Sequence, residues 1–262
     1  MQIELATLQT LVGTAMWTVA RVGGIALTAP VFSTPTVPRQ IRAAFVIMVS
    51  LILIPLVQVP VGLAPFSAPG LVVLASQVVI GAAMGFMLKL VVEAVSFGAQ
   101  LIAFTMGLSF GTIISPVDGT QSPVLSQFYV LFAVLLLLVT NVHLRLLAAL
   151  AESFRDLPIG RGLPIAGLIG TLLTWSSNLF VGAMVVALPA LTALLVVNIG
   201  VGFTSRAAPA LNLFAVGFPA ILLLGIVAVW MTFGTLPGIV ERLFASAFAA
   251  LSHMLVPGGG HG

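Results

Sequence analysis

Residues 43–88 read AAFVIMVSLILIPLVQVPVGLAPFSAPGLVVLASQVVIGAAMGFML and contain no charged side chain. Pro60, Pro65 and Pro69 divide the run into two apolar segments. A helix needs about 20 mainly apolar residues to cross a bilayer, so each segment is a candidate span. Residues 162–205 repeat the pattern, charge-free throughout and divided near Pro189. A transmembrane barrel would alternate apolar and polar residues with period two. These runs are continuous instead, and they predict buried or membrane-spanning helices.

The rest of the chain agrees. It has 262 residues, nine Lys or Arg and six Asp or Glu. Charged residues make up 6% and hydrophobic residues 60%, where a soluble domain has about 25% charged. Too few polar side chains remain to cover a soluble surface, and a disordered chain is excluded for the same reason. The expected fold class is an all-α integral membrane protein. The formal net charge is +3. The densest basic cluster, Arg145, Arg155 and Arg161, is diluted by Glu152 and Asp156, so nucleic acid is not an expected partner. There is no cysteine, which removes disulfides, thiolate catalysis and cysteine-held metals. The opening Met1-Gln2-Ile3-Glu4 lacks the basic start of a cleavable signal, so the first segment is expected to be retained.

Eight hydrophobic segments are expected, roughly 8–32, 43–59, 70–92, 94–114, 124–144, 164–187, 189–204 and 210–233. The first looks interrupted by Arg21, Gly23, Gly24 and Pro30. The seventh ends in Asn198, Gly200 and Gly202. Irregular backbone at membrane depth is tolerated only where protein shelters it. Arg39 and Arg42, then Lys89, then Arg145, Arg155 and Arg161, then Arg206 fall in alternate loops, which predicts that those loops face the cytoplasm. Eight crossings would leave both termini outside; six would follow if the weak first and seventh segments merged or dropped out. After Pro237, apolar residues recur at three- and four-residue steps to Val256, the pattern of an amphipathic helix.

Little in the chain supports chemistry. His143, His253 and His261 do not form a metal set, because ligand spacing and carboxylate neighbours are missing. There is no phosphate loop and no nucleophile elbow. The carboxylates Glu4, Glu93, Asp118, Glu152, Asp156 and Glu241 are scattered, whereas an enzyme needs clustered acid and base groups. A solute transporter would show charged midplane groups in two repeated halves, and no repeat is evident. No catalytic, cofactor-binding or metal-binding residue is therefore expected.

What remains is packing. Gly81-x-x-x-Gly85 is spaced to let helix backbones approach closely, and Gly107-x-x-x-Gly111 is read as the same kind of packing or as a loop start. Lys89 and Glu93 stand four apart and suit an i,i+4 pair near a boundary. Arg21 lies inside the first segment and is expected to pair with a carboxylate or with backbone carbonyls of a partner, since an unpaired charge in hydrocarbon costs at least ~2.5 kcal/mol. Asn141, Asn198 and Asn212 in apolar surroundings are read as interhelical hydrogen-bonding groups. These features describe a subunit that builds something larger.

Several ordered stretches resemble the FliR family of flagellar export-gate proteins, related to the SpaR and YscT subunits of virulence type III secretion. They are Arg21 through Phe32, Val37 through Arg42, Ile80 to Phe86, Gly107 through Pro116, Pro123 through Ser126, Asn141 through Leu144, Ser153 to Pro158, and Arg206 through Pro219. The last is the most specific, and together they cover about residues 10–245. Two positions depart from the family's pattern: Val142 where a glycine is usual, and Ile113 where an aromatic is usual.

The resemblance implies a FliP-like part over 1–160, a FliQ-like hairpin over 161–236, and an amphipathic helix with a flexible tail over 237–262. It implies assembly with FliP-like and FliQ-like subunits into a helical hetero-oligomer in the bacterial inner membrane, at the flagellar basal body, with a FlhB-like switch subunit bound. Unfolded flagellar proteins would pass through that gate; the alternatives are the equivalent subunit of a virulence type III secretion system, or a small-solute permease. The segment 107–119 resembles the family's plug, with Gly107, Phe110, Gly111, Ile113 and Ile114 as candidate sealing residues. Arg21, Lys89, Glu93, Asn141, Arg206 and Asn212 are candidate buried polar residues for assembly.

Overall fold

The computed structural model describes residues 5–34, 37–60, 63–108, 124–162, 165–207 and 213–255. Among these residues the regular structure is entirely helical. The helices are α1 (Leu5–Thr28), α2 (Arg39–Leu53, continued by a 3₁₀ turn at Ile54–Leu56), α3 (Ala68–Thr105), α4 (Val124–Val139), α5 (Val142–Asp156), α6 (Ile165–Ala207), α7 (Leu213–Phe233) and α8 (Leu236–Leu255).

The all-α membrane architecture is as expected, but the segmentation is not. Segments three and four are one helix of 38 residues, and six and seven are one of 43. Five helices are long and apolar enough to cross a membrane, or six if the bent pair α4–α5 counts as one span. The eight-crossing expectation is corrected accordingly. No proline separates segments three and four, and Lys89 and Glu93 continue a helix easily. Pro189 lies within α6; a proline removes one backbone hydrogen bond and bends a helix without having to end it. Likewise α1 runs unbroken through Arg21, Gly23 and Gly24.

The chain forms two interleaved units. The first contains residues 1–90, 137–176 and 244–262. Its core centres on Trp17, Ile25, Met84, Met87, Leu150 and Phe244, all almost fully buried. Here α1 and α3 touch backbone to backbone. A Cβ on Gly24 would lie 2.7 Å from the Ala82 nitrogen, and one on Gly85 would lie 2.8 Å from the Ala29 nitrogen. A Cβ on Gly81 would collide with the Arg21 carbonyl oxygen. The Gly81–Gly85 spacing thus acts as expected. At that closeness the Thr28 hydroxyl donates across to the Ala82 carbonyl at 2.9 Å, and the Trp17 indole N–H to the Gly70 carbonyl at 3.2 Å. The face of α8 that falls in this unit buries Phe244, Ala247, Leu251 and Leu255, the stripe its periodicity predicts.

The second unit contains residues 91–136 and 177–243. Small side chains dominate where α3 meets α6: Ala94, Ala99, Ala183, Ala187 and Ala190 are fully buried. A Cβ on Gly98 would lie 2.7 Å from the Ala183 carbonyl oxygen. Phe233, at the end of α7, sits among Phe128, Tyr129 and Phe132 of α4, with ring centroids 4.4 to 6.1 Å away.

Gly81→Val is expected to lower unit stability by about 1–3 kcal/mol through overpacking against the α1 backbone. Gly170→Ala, where an added Cβ meets nothing within 4 Å, should be neutral or stabilising. Thermal unfolding midpoints of the detergent-purified chains check the contrast.

Candidate functional site

Arg21 is fully buried in the first unit. Its Nε and Nη2 both donate to the Gln77 side-chain carbonyl. Nη1 donates to the Ser153 carbonyl at 2.7 Å and to the Ser153 hydroxyl at 3.0 Å. Nη2 also reaches the Leu157 carbonyl at 2.8 Å. The Phe154 ring lies 4.1 Å from the guanidinium carbon, a cation–π contact. Ser153, Phe154 and Leu157 form the last turn and C-cap of α5, where unpaired carbonyls make the helix end partly negative. The planar guanidinium has five donors in a fixed fork, and here it joins α1, α3 and α5. The backbone carbonyls expected for Arg21 are present, but they belong to this chain and not to a partner: the acceptors lie 56, 132 and 136 residues away. The sequence reading missed Gln77, although the one glutamine of the apolar segment 70–92 is a visible signal.

The second unit holds a cavity of about 620 Å³ between the end of α3, the last part of α6 and the start of α7. Its lining is mostly apolar, with Phe104, Met106, Val201, Phe218 and Ile221; Asn198 and Thr105 add polar atoms. Gly107 lies in the wall at φ 76°, a left-handed conformation that favours glycine. The Leu108 N–H donates to the Ala103 carbonyl at 3.0 Å and the Gly107 N–H to the Phe104 carbonyl at 3.1 Å. That pair of bonds is a Schellman motif, so Gly107 terminates α3.

Phe110, Gly111, Ile113, Ile114 and Asn212 lie outside the described residues. Lys89 is half-buried on α3, while Glu93 is exposed. Asn141 and Arg206 are also exposed. These four are candidates for burial on assembly, and within this chain only Lys89 is partly covered. Arg206 ends α6, where a helix carries an outward cation readily. Asn141 has φ 56°, alone among described non-glycine residues in being positive, and it separates α4 from α5. Asparagine tolerates that conformation. Val142 follows as the first residue of α5 and is buried, so the glycine usual in the family is not required there. Among the described residues no three of His, Asp and Glu are grouped to hold a metal.

Arg21→Met should destabilise the first unit by about 3 kcal/mol or more, because Gln77 and the α5 end lose their donor in a buried site. Arg21→Lys should recover only part, having no planar fork. Gly107→Ala should cost about 1–2 kcal/mol through its left-handed backbone. Equilibrium unfolding in detergent ranks the three.

Residues 12–247 match the family model described as bacterial export proteins, family 1. The chain is 33% identical over 241 residues to the flagellar biosynthetic protein FliR of Escherichia coli K12, covering 91% of each. It is 31% identical over 240 residues to that of Pectobacterium carotovorum, again covering 91% of each. With the protein of the same name from Bacillus subtilis the identity is 24% over 238 residues, 90% of this chain and 92% of the relative.

Proposed function

The chain belongs to the bacterial export proteins of family 1, and on that premise we propose that it is a membrane subunit of the flagellar protein export apparatus. The carrying observation is similarity over nine-tenths of its length to proteins named for flagellar biosynthesis. The role is non-enzymatic: the chain supplies wall and packing surface. We further propose FliP-like, FliQ-like and FlhB-like partners, a site in the inner membrane, and a gate passing unfolded flagellar proteins.

Large exposed apolar side chains support an assembly role. On α7, Leu223, Ile226, Trp230 and Met231 are all more than half exposed. A span in lipid tolerates such a face, but so does a subunit interface. The proposed division places a FliP-like part over 1–160 and a FliQ-like hairpin over 161–236, the hairpin being α6 and α7. Arg206 would then stand near its cytoplasmic tip.

Within that reading the segment 107–119 is the plug. Gly107 in the cavity wall supports it, since the chain leaves α3 there beside an apolar space. Replacing Phe110, Ile113 and Ile114 together by alanine should raise the ion permeability of cells without abolishing assembly. An unchanged conductance argues against the plug. Deleting the whole chain should stop export of filament proteins to the medium. Continued export would overturn the gate reading itself.

A further inference from the structure

The first unit carries an open groove of about 370 Å³ between α1 and α2. Along α1 its wall is Val19, Gly23 and Leu27, spaced i, i+4, i+8 on one face. Along α2 it is Arg39, Arg42, Val46 and Ile47. One end is therefore doubly cationic and the rest apolar. None of the described lining residues is acidic. Arg42 donates one bond, to the Thr34 carbonyl at 3.3 Å, while its buried Nε has no partner. Gly23 forms part of the wall, and a Cβ added there meets nothing within 4 Å. The space is thus open and does not result from two backbones being pressed together.

We propose that this groove binds an anionic phospholipid. The phosphate would sit on the outer guanidinium nitrogens of Arg39 and Arg42, at the Leu27 end of the groove, and an acyl chain would run from there past Gly23 toward Val19. Charge complementarity selects the headgroup, because basic pockets between membrane helices recognise anionic lipids. The groove extends about 12 Å along α1, and beyond the two arginines its walls are apolar, which suits an acyl chain lying along it. The face around the groove is apolar and open: α2 is the least buried of the candidate spans, and Ile47, Met48, Leu51 and Ile52 continue its exposed apolar face.

The full-length chain, extracted from membranes into mild detergent, is offered phosphatidylglycerol and phosphatidylethanolamine in equal amounts and read by native mass spectrometry. The expected result is preferential retention of phosphatidylglycerol, falling roughly tenfold or more in the R39Q/R42Q double variant. Gly23→Leu should lose bound lipid of both kinds by filling the groove. It meets open space, so it should leave the unfolding midpoint unchanged. Equal retention of the two lipids by the unaltered chain overturns the proposal. So does retention by both variants at the unaltered level. A photoreactive residue placed at position 23 that cross-links to polypeptide in place of lipid identifies a protein occupant and also overturns it. These outcomes are independent of export, which is scored separately by secretion of filament protein.

Discussion

A guanidinium buried without a carboxylate beside it is the constraint on which the first unit depends. An uncompensated charge in that position would cost several kcal/mol. Its compensation consists of carbonyl and hydroxyl oxygens from Gln77, Ser153 and Leu157 and the face of the Phe154 ring. Those oxygens are in reach only because α1 lies against α3 with glycine at the contacts. The Gly81 position beside the Arg21 carbonyl shows the dependence directly. A side chain there would push α1 outward, and the same push would lengthen the Arg21–Gln77 bonds. Packing and polar satisfaction are thus one condition. The last turn of α5 enters the same condition, because its free carbonyls need a cation and α1 supplies it.

The readable parts of this fold were the local ones. Charge-free runs gave helices, a four-residue glycine spacing gave a backbone contact, and a three- and four-residue apolar period gave α8. What failed were inferences about partners and interruptions. The carbonyls that pair Arg21 were assigned to a partner because they are 132 and 136 residues distant, and no periodicity records so remote a pairing. Gly23 and Gly24 looked like a break, yet one is a contact point and the other borders an empty groove. Pro189 looked like a boundary, yet losing one hydrogen bond among dozens leaves a long helix intact. Gly107 was open to two readings, close packing or a loop start, and its φ of 76° and cap bonds decide for the second, which the Met106-Gly107-Leu108 sequence alone does not. Asn141 was read as a hydrogen-bonding group and proves to be a backbone device.

Helix length bears on where the apolar surface can go. The 43 residues of α6 measure about 64 Å at 1.5 Å per residue, roughly twice the ~30 Å hydrocarbon thickness. Exposed apolar residues occur near both ends, Ile169 and Leu173 at one and Phe203 at the other. Water is a poor cover for Phe203, which is 68% exposed, and hydrocarbon or other protein is a better one. The low charge content thus fits two kinds of apolar surroundings, lipid and protein, and the exposed faces of α2, α6 and α7 are apolar enough for either.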